Sequence, residues 1–502
     1  MLNLSKIRNV TIVGGGTAGW CAAIMLRGIL GKHVDVTVIE STEIGVIGVG
    51  EGGLPNLMDF LDHNNISLAE FIDSTQATFK WGFSYEGWRT GKEDDRYFHL
   101  FGHRDDRTVK SSHGMFPYLS ELIAHGIPLE YAHLGVDAIY KNVDQVEAFQ
   151  IYKQLSEQAQ PINTSFHFDS YRIAKYFGKT ARERGVKYHD TKITDVLFNE
   201  QGYVTQLVTE SGVFDTDFVI DASGLARLVI NRMQPEWETF SPYLLMNAAI
   251  PFNMPHPFPN PCLYSRGIAM DSGWMWQIPL IERVGAGYVF SSQHISPEKA
   301  HAEVERKLGY KVEINKLIQF DPGCHREVWK KNVMALGLSS GFVEPLEATS
   351  IGQMLDQLRL FASIFATTLG VIPQHVIDNF NIANHASWME IRDFLRMHYD
   401  VPRQDTPFWQ DVAKSPYPES YRELKEVWQL RTPRAIDLKS YAPYGRRLMF
   451  GTWSWTYVGA GVGSVSPQGA ASELSLLKPE MRQELENFRM ESLQKKAAFE
   501  KK

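Results

Sequence analysis

The stretch 9-NVTIVGGGTAGWCAAIMLRGIL-30 decides the fold of this chain. It begins with a short apolar run typical of a buried strand and ends with the composition of a buried helix. Between the two, Gly14, Gly16 and Gly19 form the pattern G-x-G-x-x-G. A second apolar run follows at residues 34–40. The segment therefore predicts a strand–helix–strand unit with a glycine-rich turn.

Each glycine of the pattern has a separate use in dinucleotide binding. The first permits a tight turn, the second lets the backbone approach a pyrophosphate, and the third lets helix and strand come close together. Glu40 ends the second strand, where an acid binds ribose hydroxyls and disfavours a 2′-phosphate. A glycine turn without a ligand is the alternative. We predict a dinucleotide site made by Gly14, Gly16, Thr17, Ala18, Gly19 and Glu40.

A second signal lies far downstream, in DFVIDASGLARLVI at residues 217–230. A strand that ends in a small acidic turn, here at Asp221, is typical of flavoproteins with the two-dinucleotide-binding fold. No second strand–turn–helix unit with a G-x-G-x-x-G for NAD(P)H is predicted. We therefore expect bound FAD and an external source of electrons, which is either the substrate or a separate reductase that supplies FADH2.

The wider pattern is mixed in the first part of the chain and helical in the last. We predict an α/β chain with a two-dinucleotide-binding, Rossmann-like FAD fold and an α-helical C-terminal module. The FAD module spans residues 1–370, with interleaved substrate-site segments at about 91–150 and 240–295. Residues 371–502 form a mostly helical module that covers the substrate, and its polar tail at 484–502 is predicted to face solvent.

Composition excludes several classes of function. The net charge of −7 and the lack of a basic block argue against a nucleic-acid partner. The three cysteines, Cys21, Cys262 and Cys324, are far apart and have no metal-ligand spacing, so a reducing cytoplasm fits and no metal is predicted. No run of eighteen apolar residues and no signal peptide occur. We expect a cytoplasmic monomer or homodimer.

The stretch DSGWMWQIP at residues 271–279 places two tryptophans on alternate positions. In a strand, Trp274, Trp276 and Ile278 would share one face. That face is either part of a core or a partition inside an active site. The sequence pattern alone favours the core.

Several blocks, taken in order, make the interpretation more specific. GWMWQIP fits the motif W-x-W-x-I-P, and the chain resembles the flavin-dependent halogenases, the tryptophan halogenase family. HLFG at 99–102 resembles the family's His-Pro-Phe-Gly segment. Further blocks that resemble the family are IGVGEGGLP (47–55), ATFKWGF (77–83), GYVFSS (287–292), NVMALGLSSGFVEPLEATSIG (332–352) and IRDFLRMHY (391–399).

The resemblance implies a two-component reaction. A separate NADH-dependent flavin reductase delivers FADH2, and O2 with chloride or bromide then gives hypohalous acid. The acid travels through a tunnel to Lys80, which passes halogen to an electron-rich ring beside the carboxylate of Glu347. Further flavin contacts implied by the resemblance are Gly48, Val49, Gly50, Glu51, Gly337 and Ile351, in addition to Asp221.

The predicted chemistry suits these residue types. A buried lysine can form a haloamine if it is deprotonated, or activate the acid as a donor if it is protonated, and the sequence leaves both open. A lone lysine is more often at the surface. A carboxylate stabilises the ring cation and accepts its proton. Glu344 is the rival to Glu347, and helix capping is the alternative role for either residue.

The remaining site predictions concern the halide site, the contacts with the substrate ring and the residues that shape the tunnel. Thr349 and Ser350 lie at a predicted helix start, which favours halide, although an ordinary helix cap is the alternative and the family usually has glycine at the second position. His99, Phe101 and Trp455 are predicted to contact the substrate ring, and no equivalent of the family's proline contact is predicted. Trp274, Trp276, Ile278 and Pro279 are predicted to shape the tunnel and to keep substrate away from the flavin.

The family's tyrosine pair, which grips free tryptophan, is missing from YAPYGRRLMFGTWSWTYVGAG at residues 441–461. We therefore predict free indole or a similar arene as substrate. A flavin-dependent aromatic hydroxylase is the first alternative, and it would need a route for NAD(P)H. A non-catalytic FAD-binding protein is the second, and it would give Lys80 and Glu347 no purpose.

Overall fold

A computed structural model describes residues 2–45, 48, 50–103, 115–314 and 316–500. Val49, one of the predicted flavin-binding residues, lies outside the described residues. The opening stretch forms the expected unit, with strands Asn9–Val13 and Asp35–Glu40 on either side of helix Thr17–Ile29.

These strands are the centre of a six-stranded sheet. Its inner pairs are all parallel, as a strand–helix–strand connection requires, and only one edge pair is antiparallel. From one edge to the other the strands are Trp329–Lys330, Val333–Ala335, Phe218–Asp221, Asn9–Val13, Asp35–Glu40 and Lys187–Asp190.

A seven-stranded sheet lies beside it and brings together two distant parts of the chain. Residues 82–100 supply its last two strands, and residues 248–319 supply the other five. The junction between Ser265–Ala269 and Gly82–Glu86 is its one parallel pairing. The order is Ile318–Gln319, Ala248–Met254, Val284–Phe290, Gly273–Pro279, Ser265–Ala269, Gly82–Glu86 and Arg96–Leu100.

A small antiparallel sheet carries the predicted lysine. Its middle strand, Ser165–Phe168, pairs with Glu51–Gly52 on one side and with Thr78–Lys80 on the other. The remaining strand groups are Ile193–Phe198 with Val204–Thr209 and Gly212–Asp215, Trp237–Thr239 with Gly323–His325 and Gly341–Phe342, and Leu2–Asn3 with Val371–Ile372.

Helices surround the sheets and dominate the last quarter of the chain. No helix in the described part combines the length and apolar character that a membrane crossing requires. The helices are Thr17–Ile29, Asn56–His63, Leu68–Thr75, Phe116–Ala124, Val136–Lys141, Gln145–Glu157, Ser170–Glu183, Pro297–Leu308, Thr349–Thr368, Gln374–His398, Pro407–Lys414, Glu419–Trp428, Thr452–Val462, Pro467–Leu474 and Pro479–Glu500. The predicted α/β class with a helical C-terminal region is confirmed.

The last helix corrects one expectation. Its residues are mostly polar, but Leu485 and Phe488 are buried, and Phe488 meets Tyr118 edge to face. Further along, Phe499 stacks on Tyr140 with ring centroids 4.7 Å apart. An apolar stripe of few residues is enough to attach a polar helix to the body of the protein. The tail is therefore packed on one side rather than wholly facing solvent.

Candidate active site

The glycine-rich turn is closely packed at Gly14 and Gly19 and has open space beside Gly16. We call this turn the dinucleotide cradle. Gly14 has a φ of +109°, and a Cβ there would lie 2.3 Å from the carbonyl oxygen of Ala222. A Cβ on Gly19 would lie 1.9 Å from the Gly14 oxygen. Gly16, by contrast, has nothing within 4 Å of its Cβ position, and the helix starts directly after it. The open side and the free N–H groups of the first turn fit a pyrophosphate.

Glu40 lies against this turn, at the end of its strand. A Cβ on Gly15 would lie 1.7 Å from Glu40 Oε2, so the carboxylate is directly over the backbone. Tyr188 donates a hydrogen bond of 2.9 Å to the other oxygen, and burial raises the pKa of Glu40. The position suits a ribose hydroxyl. The cradle as a whole therefore fits the adenosine part of FAD.

Asp221 ends its strand and accepts hydrogen bonds from the turn that follows. Its carboxylate accepts backbone N–H bonds from Val229 and Ile230, at 2.8 and 2.7 Å, and the hydroxyl of Ser223 at 2.6 Å. These bonds hold the turn that follows the strand, so Asp221 organises the backbone there, and its contact with FAD stays a prediction. Gly337, with φ +64°, brings its backbone close to Ala18.

A mostly apolar cavity of about 220 Å³ lies against strands of the seven-stranded sheet. Predicted flavin-loop residues and the predicted halide and carboxylate residues all border it. The lining includes Gly48, Gly50, Glu51, Gly52, Phe83, Tyr85, Ser265, Trp274, Trp276, Ile278, Glu347, Thr349, Ser350 and Ile351.

One wall of the cavity is the tryptophan strand Gly273–Pro279. Trp274, Trp276 and Ile278 line the cavity from the same face of the strand, as alternation requires. Trp276 lies flat across Gly287 of the neighbouring strand, where a Cβ would stand 2.1 Å from its ring. Pro279 departs from the prediction: it faces the other side and borders a separate small cleft.

Glu344 stands behind this wall. It accepts hydrogen bonds from Trp274 Nε1 at 2.6 Å and from the Tyr399 hydroxyl at 2.5 Å. Burial raises the pKa of Glu344 to about 7 despite these two donors. The rival to Glu347 thus fixes the orientation of a wall tryptophan.

Lys80 ends its strand in completely buried surroundings. Its Nζ donates to the Gly53 carbonyl oxygen at 3.0 Å and lies 3.8 Å from the centroid of the Phe83 ring. The Phe101 ring centroid is 5.7 Å away. Burial lowers the pKa of Lys80 to about 7, although the charge of Glu347 opposes this shift. Burial therefore makes the neutral amine much easier to reach than in an exposed lysine.

Glu347 is held by three side chains from three elements. Tyr85 donates to it at 2.5 Å, His99 Nδ1 lies 2.8 Å from both oxygens, and His398 Nε2 lies 3.1 Å from one of them. Burial would raise the pKa of Glu347, but its contacts with the two histidines lower it to about 2. The carboxylate is therefore an anion at neutral pH. His99 Nε2 is buried and has no partner among the described residues.

Sequence reasoning missed Tyr85 and His398 as members of this cluster. His398 lies in the block at 391–399 that resembles the family, and that resemblance could have pointed to it. Its role, however, depends on a contact with Glu347, which is 51 positions away in the sequence. Glu347 itself has a φ of 65°, outside the helical range, and Ala348 has a φ of 54°. Two left-handed residues in a row turn the Glu347 side chain away from the helix that follows, and Glu347 does not act as a helix cap.

The helix after this turn begins at Thr349, and Ser350 is its second residue. The cap position is Ala348, and no side chain caps the helix. The first-turn N–H groups therefore lack side-chain acceptors and lie beside the cavity. Thr349 Oγ1 is also buried without a partner in the described part of the chain. The arrangement suits a small anion.

The predicted substrate residues are in different surroundings. Phe101 meets Phe83 edge to face, with centroids 6.0 Å apart. Trp455 is completely buried between Phe394 and Tyr441 and is not among the residues that line the cavity. Trp453, two residues earlier, is partly exposed and donates from Nε1 to the Leu100 oxygen at 2.8 Å, which places it next to Phe101.

The family's proline contact has no counterpart in the segment HLFG. In this chain Leu100 takes the proline's place, and Gly102 ends the segment. The Leu100 side chain is completely buried. A Cβ on Gly102 would lie 3.6 Å from the Trp453 ring, so this glycine packs against the indole with its backbone.

Comparisons with known proteins agree with this geometry. The family described as tryptophan halogenase matches residues 9–475. The protein described as uncharacterized protein y4xG of Sinorhizobium fredii is 37% identical over 490 residues, covering 97% of this chain and 96% of that protein. Tryptophan 7-halogenase RebH of Lentzea aerocolonigenes is 30% identical over 470 residues, covering 87% and 85%.

Among solved structures, Xcc4156, a flavin-dependent halogenase from Xanthomonas campestris, superposes with a TM-score of 0.82 and 29% identity, covering 99% of this chain and 96% of that chain. Membership of one family thus explains the fold, the dinucleotide cradle and the cavity beside Lys80 and Glu347. The chain belongs to the tryptophan halogenase family and is a flavin-dependent halogenase of aromatic compounds.

Proposed function

We propose that the protein uses reduced FAD, O2 and chloride or bromide to make hypohalous acid, and that it halogenates a small electron-rich arene such as free indole. A separate flavin reductase, which is typical of the family, would supply the reduced flavin. When bound, reduced flavin supplies the activated oxygen that oxidises the halide. The remaining tasks belong to residues of this chain.

The halide would bind at the start of the helix Thr349–Thr368. Thr349 and Ser350 offer backbone N–H groups there and border the same cavity as the flavin loop. Ser350 narrows this end of the cavity, because the family usually has glycine at that position. The fit should therefore be sensitive to the radius of the halide.

Trp274 and Trp276 would keep the arene away from the flavin. Their rings line the cavity, and both are fixed, Trp274 by Glu344 and Trp276 by the flat contact with Gly287. A rigid wall of this kind favours passage of a small inorganic molecule over a ring. It would thereby suppress direct hydroxylation of the substrate.

Lys80 would hold the oxidant beside the ring, and Glu347 would stabilise the ring cation formed when halogen adds. The observation that carries this proposal is the burial of Lys80 with a pKa of about 7, near an anionic Glu347. Perturbed groups of this kind are common at active sites. The overall step converts arene and hypohalous acid into haloarene and water.

The preference for indole over tryptophan rests on the groups that could grip an amino acid. Arg446 is buried and bonded to Glu390. Tyr441 donates its hydroxyl to Asp393 at 2.6 Å. Both side chains thus serve the fold and are unavailable for an ammonium or a carboxylate. A site without such partners gains little from the polar part of tryptophan.

The test compares free indole and free tryptophan at equal concentration with FAD, a flavin reductase, NADH and bromide. A thioether in excess removes oxidant that escapes into solution, so the product reports transfer inside the protein. We expect brominated indole to exceed brominated tryptophan by about tenfold or more. A preference for tryptophan, or product without halide, would contradict the proposal.

A further inference from the structure

Three buried polar side chains form a hydrogen-bonded row beside Lys80. Ser265 Oγ lies 3.0 Å from His167 Nε2, and His167 Nδ1 lies 3.2 Å from Thr78 Oγ1. Thr78 in turn donates to the Pro279 carbonyl oxygen at 2.6 Å. His167 and Thr78 are completely buried, and Ser265 borders the cavity.

The row fixes the positions of its protons. Because the Thr78 hydroxyl donates to a carbonyl, it accepts from His167, so Nδ1 carries the imidazole hydrogen. Nε2 is then the acceptor, and the Ser265 hydroxyl donates to it. The lone pairs of Ser265 Oγ remain free to accept a proton from the side of the cavity.

Ser265 and Lys80 face the same small space beside Gly52. A Cβ on Gly52 would lie 2.8 Å from Lys80 Nζ and 3.4 Å from Ser265 Oγ. The lack of a side chain at this position leaves room between the amine and the hydroxyl. A single oxygen atom in that space, from water or from hypohalous acid, can hydrogen bond to both.

We propose that Ser265 and His167 are a proton relay for the Lys80 amine and that Thr78 is the residue that positions the imidazole. The relay rests on the function proposed above, because it prepares Lys80 for contact with the oxidant. It assigns a purpose to a serine and a histidine that the halogenation chemistry otherwise leaves unused.

The step involves protons only. An N–H bond of the Lys80 ammonium breaks, and its proton passes through the bridging oxygen to Ser265 Oγ. The original Ser265 O–H proton moves to His167 Nε2, which gives an imidazolium and a neutral amine. After halogen has reached the ring, the reverse movement returns the proton. Nothing is oxidised or reduced in this exchange.

The electrostatics of the row keep the resting proton on Lys80, so His167 would hold it only transiently. Burial, and then the charge of Lys80, hold the pKa of His167 well below its usual value. Burial also lowers the pKa of Lys80, with Glu347 as the opposing charge. A proton on one of these two groups disfavours a proton on the other.

Kinetics with matched variants test the relay. We expect Ser265→Ala to lower kcat for indole bromination by about a hundredfold, as loss of a proton-transfer group does, with little change in KM. Ser265→Thr should restore most of the rate because it keeps the hydroxyl. The control is Ser84→Ala, which removes a buried hydroxyl from the adjacent strand. Among the described residues, this hydroxyl hydrogen bonds only with Glu86. A full rate in Ser265→Ala, with FAD still bound, would overturn the relay.

A second measurement does not depend on activity. Nitrogen-15 spectra of histidine-labelled, FAD-bound protein should show His167 as the neutral Nδ1–H tautomer, with assignment from His167→Gln. Lys80→Met should shift the His167 titration to higher pH. An Nε2–H tautomer would refute the relay, and so would a His167 titration that is the same in the wild type and in Lys80→Met. Failure of the wild-type protein to halogenate any arene would instead refute the proposed function.

Discussion

Lys80 is the residue on which the account depends most. Its ammonium form is costly because the side chain is completely buried, and burial moves its pKa from 10.5 to about 7 although the charge of Glu347 opposes the shift. The same burial that makes the amine available for chemistry also makes the side chain a burden for folding. Such exchanges of stability for function are common at active sites.

This burden has a defined dependence on pH. The unfolded chain keeps a lysine pKa near 10.5, whereas the folded chain has a pKa of about 7 for Lys80. Between these values the unfolded state binds more protons, so stability rises with pH across the window. Below about 7 the full penalty is present.

Lys80→Met should therefore raise the melting temperature most at pH 7 and below, and the gain should shrink as pH rises toward 10.5. Thermal unfolding of both proteins at matched pH values measures the difference. The exposed Lys175→Met is the control and should give a difference near zero throughout. A constant gain for Lys80→Met across the window would show that the lysine is not destabilised by its charge.

Residue-level surroundings were only partly predictable. The sequence neighbours Phe79, Trp81 and Phe83 are apolar and are consistent with the buried setting of Lys80. The surroundings of Asp221 and Glu347 were not predictable, because they depend on backbone N–H groups and on side chains from distant elements. The left-handed turn at Glu347 has no glycine to signal it.

At the level of single elements, the tryptophan strand shows how a wall is made from an alternating sequence. Strand periodicity alone predicted that Trp274 and Trp276 share a face. The contact that flattens Trp276 comes from Gly287 in another strand, and sequence spacing carries no information about that register. The last helix was misjudged because two buried residues, Leu485 and Phe488, are hidden among many charges.

Gly287→Ala tests the wall at this scale. The added methyl would stand 2.1 Å from the Trp276 ring and must displace it. We expect a loss of about 1–3 kcal/mol in unfolding free energy, as overpacking typically costs. More hydrogen peroxide should also form per haloarene, because the wall no longer fits.

The control is Gly28→Ala in the exposed part of helix Thr17–Ile29, where nothing lies within 4 Å of the new methyl. It should stabilise the protein by about 0.5–1 kcal/mol. Unchanged coupling and stability in Gly287→Ala would argue that Trp276 is free to move and does not form a fixed partition.

At the level of the whole molecule, the two large sheets carry different parts of the candidate site. The six-stranded sheet carries the dinucleotide cradle, and the seven-stranded sheet carries the tryptophan wall and His99. The cradle was predictable because its motif is local and its glycines are obligatory. The seven-stranded sheet was not, because its parallel junction joins residues about 180 positions apart.

The segments predicted to interleave, at 91–150 and 240–295, supply strands to that one sheet. The boundary placed at residue 370 remains a prediction. Strand Val371–Ile372 pairs with Leu2–Asn3, so chain on the two sides of this boundary is joined by hydrogen bonds.

The central claim is that halogen reaches the ring through Lys80. The most direct test measures brominated indole and oxidised thioether together, for the wild type and for Lys80→Met, with FAD binding checked by fluorescence. We predict that Lys80→Met makes no more than about one hundredth of the wild-type haloarene, while oxidised thioether rises because halide oxidation continues without transfer. Wild-type yields of brominated indole from Lys80→Met would contradict the account.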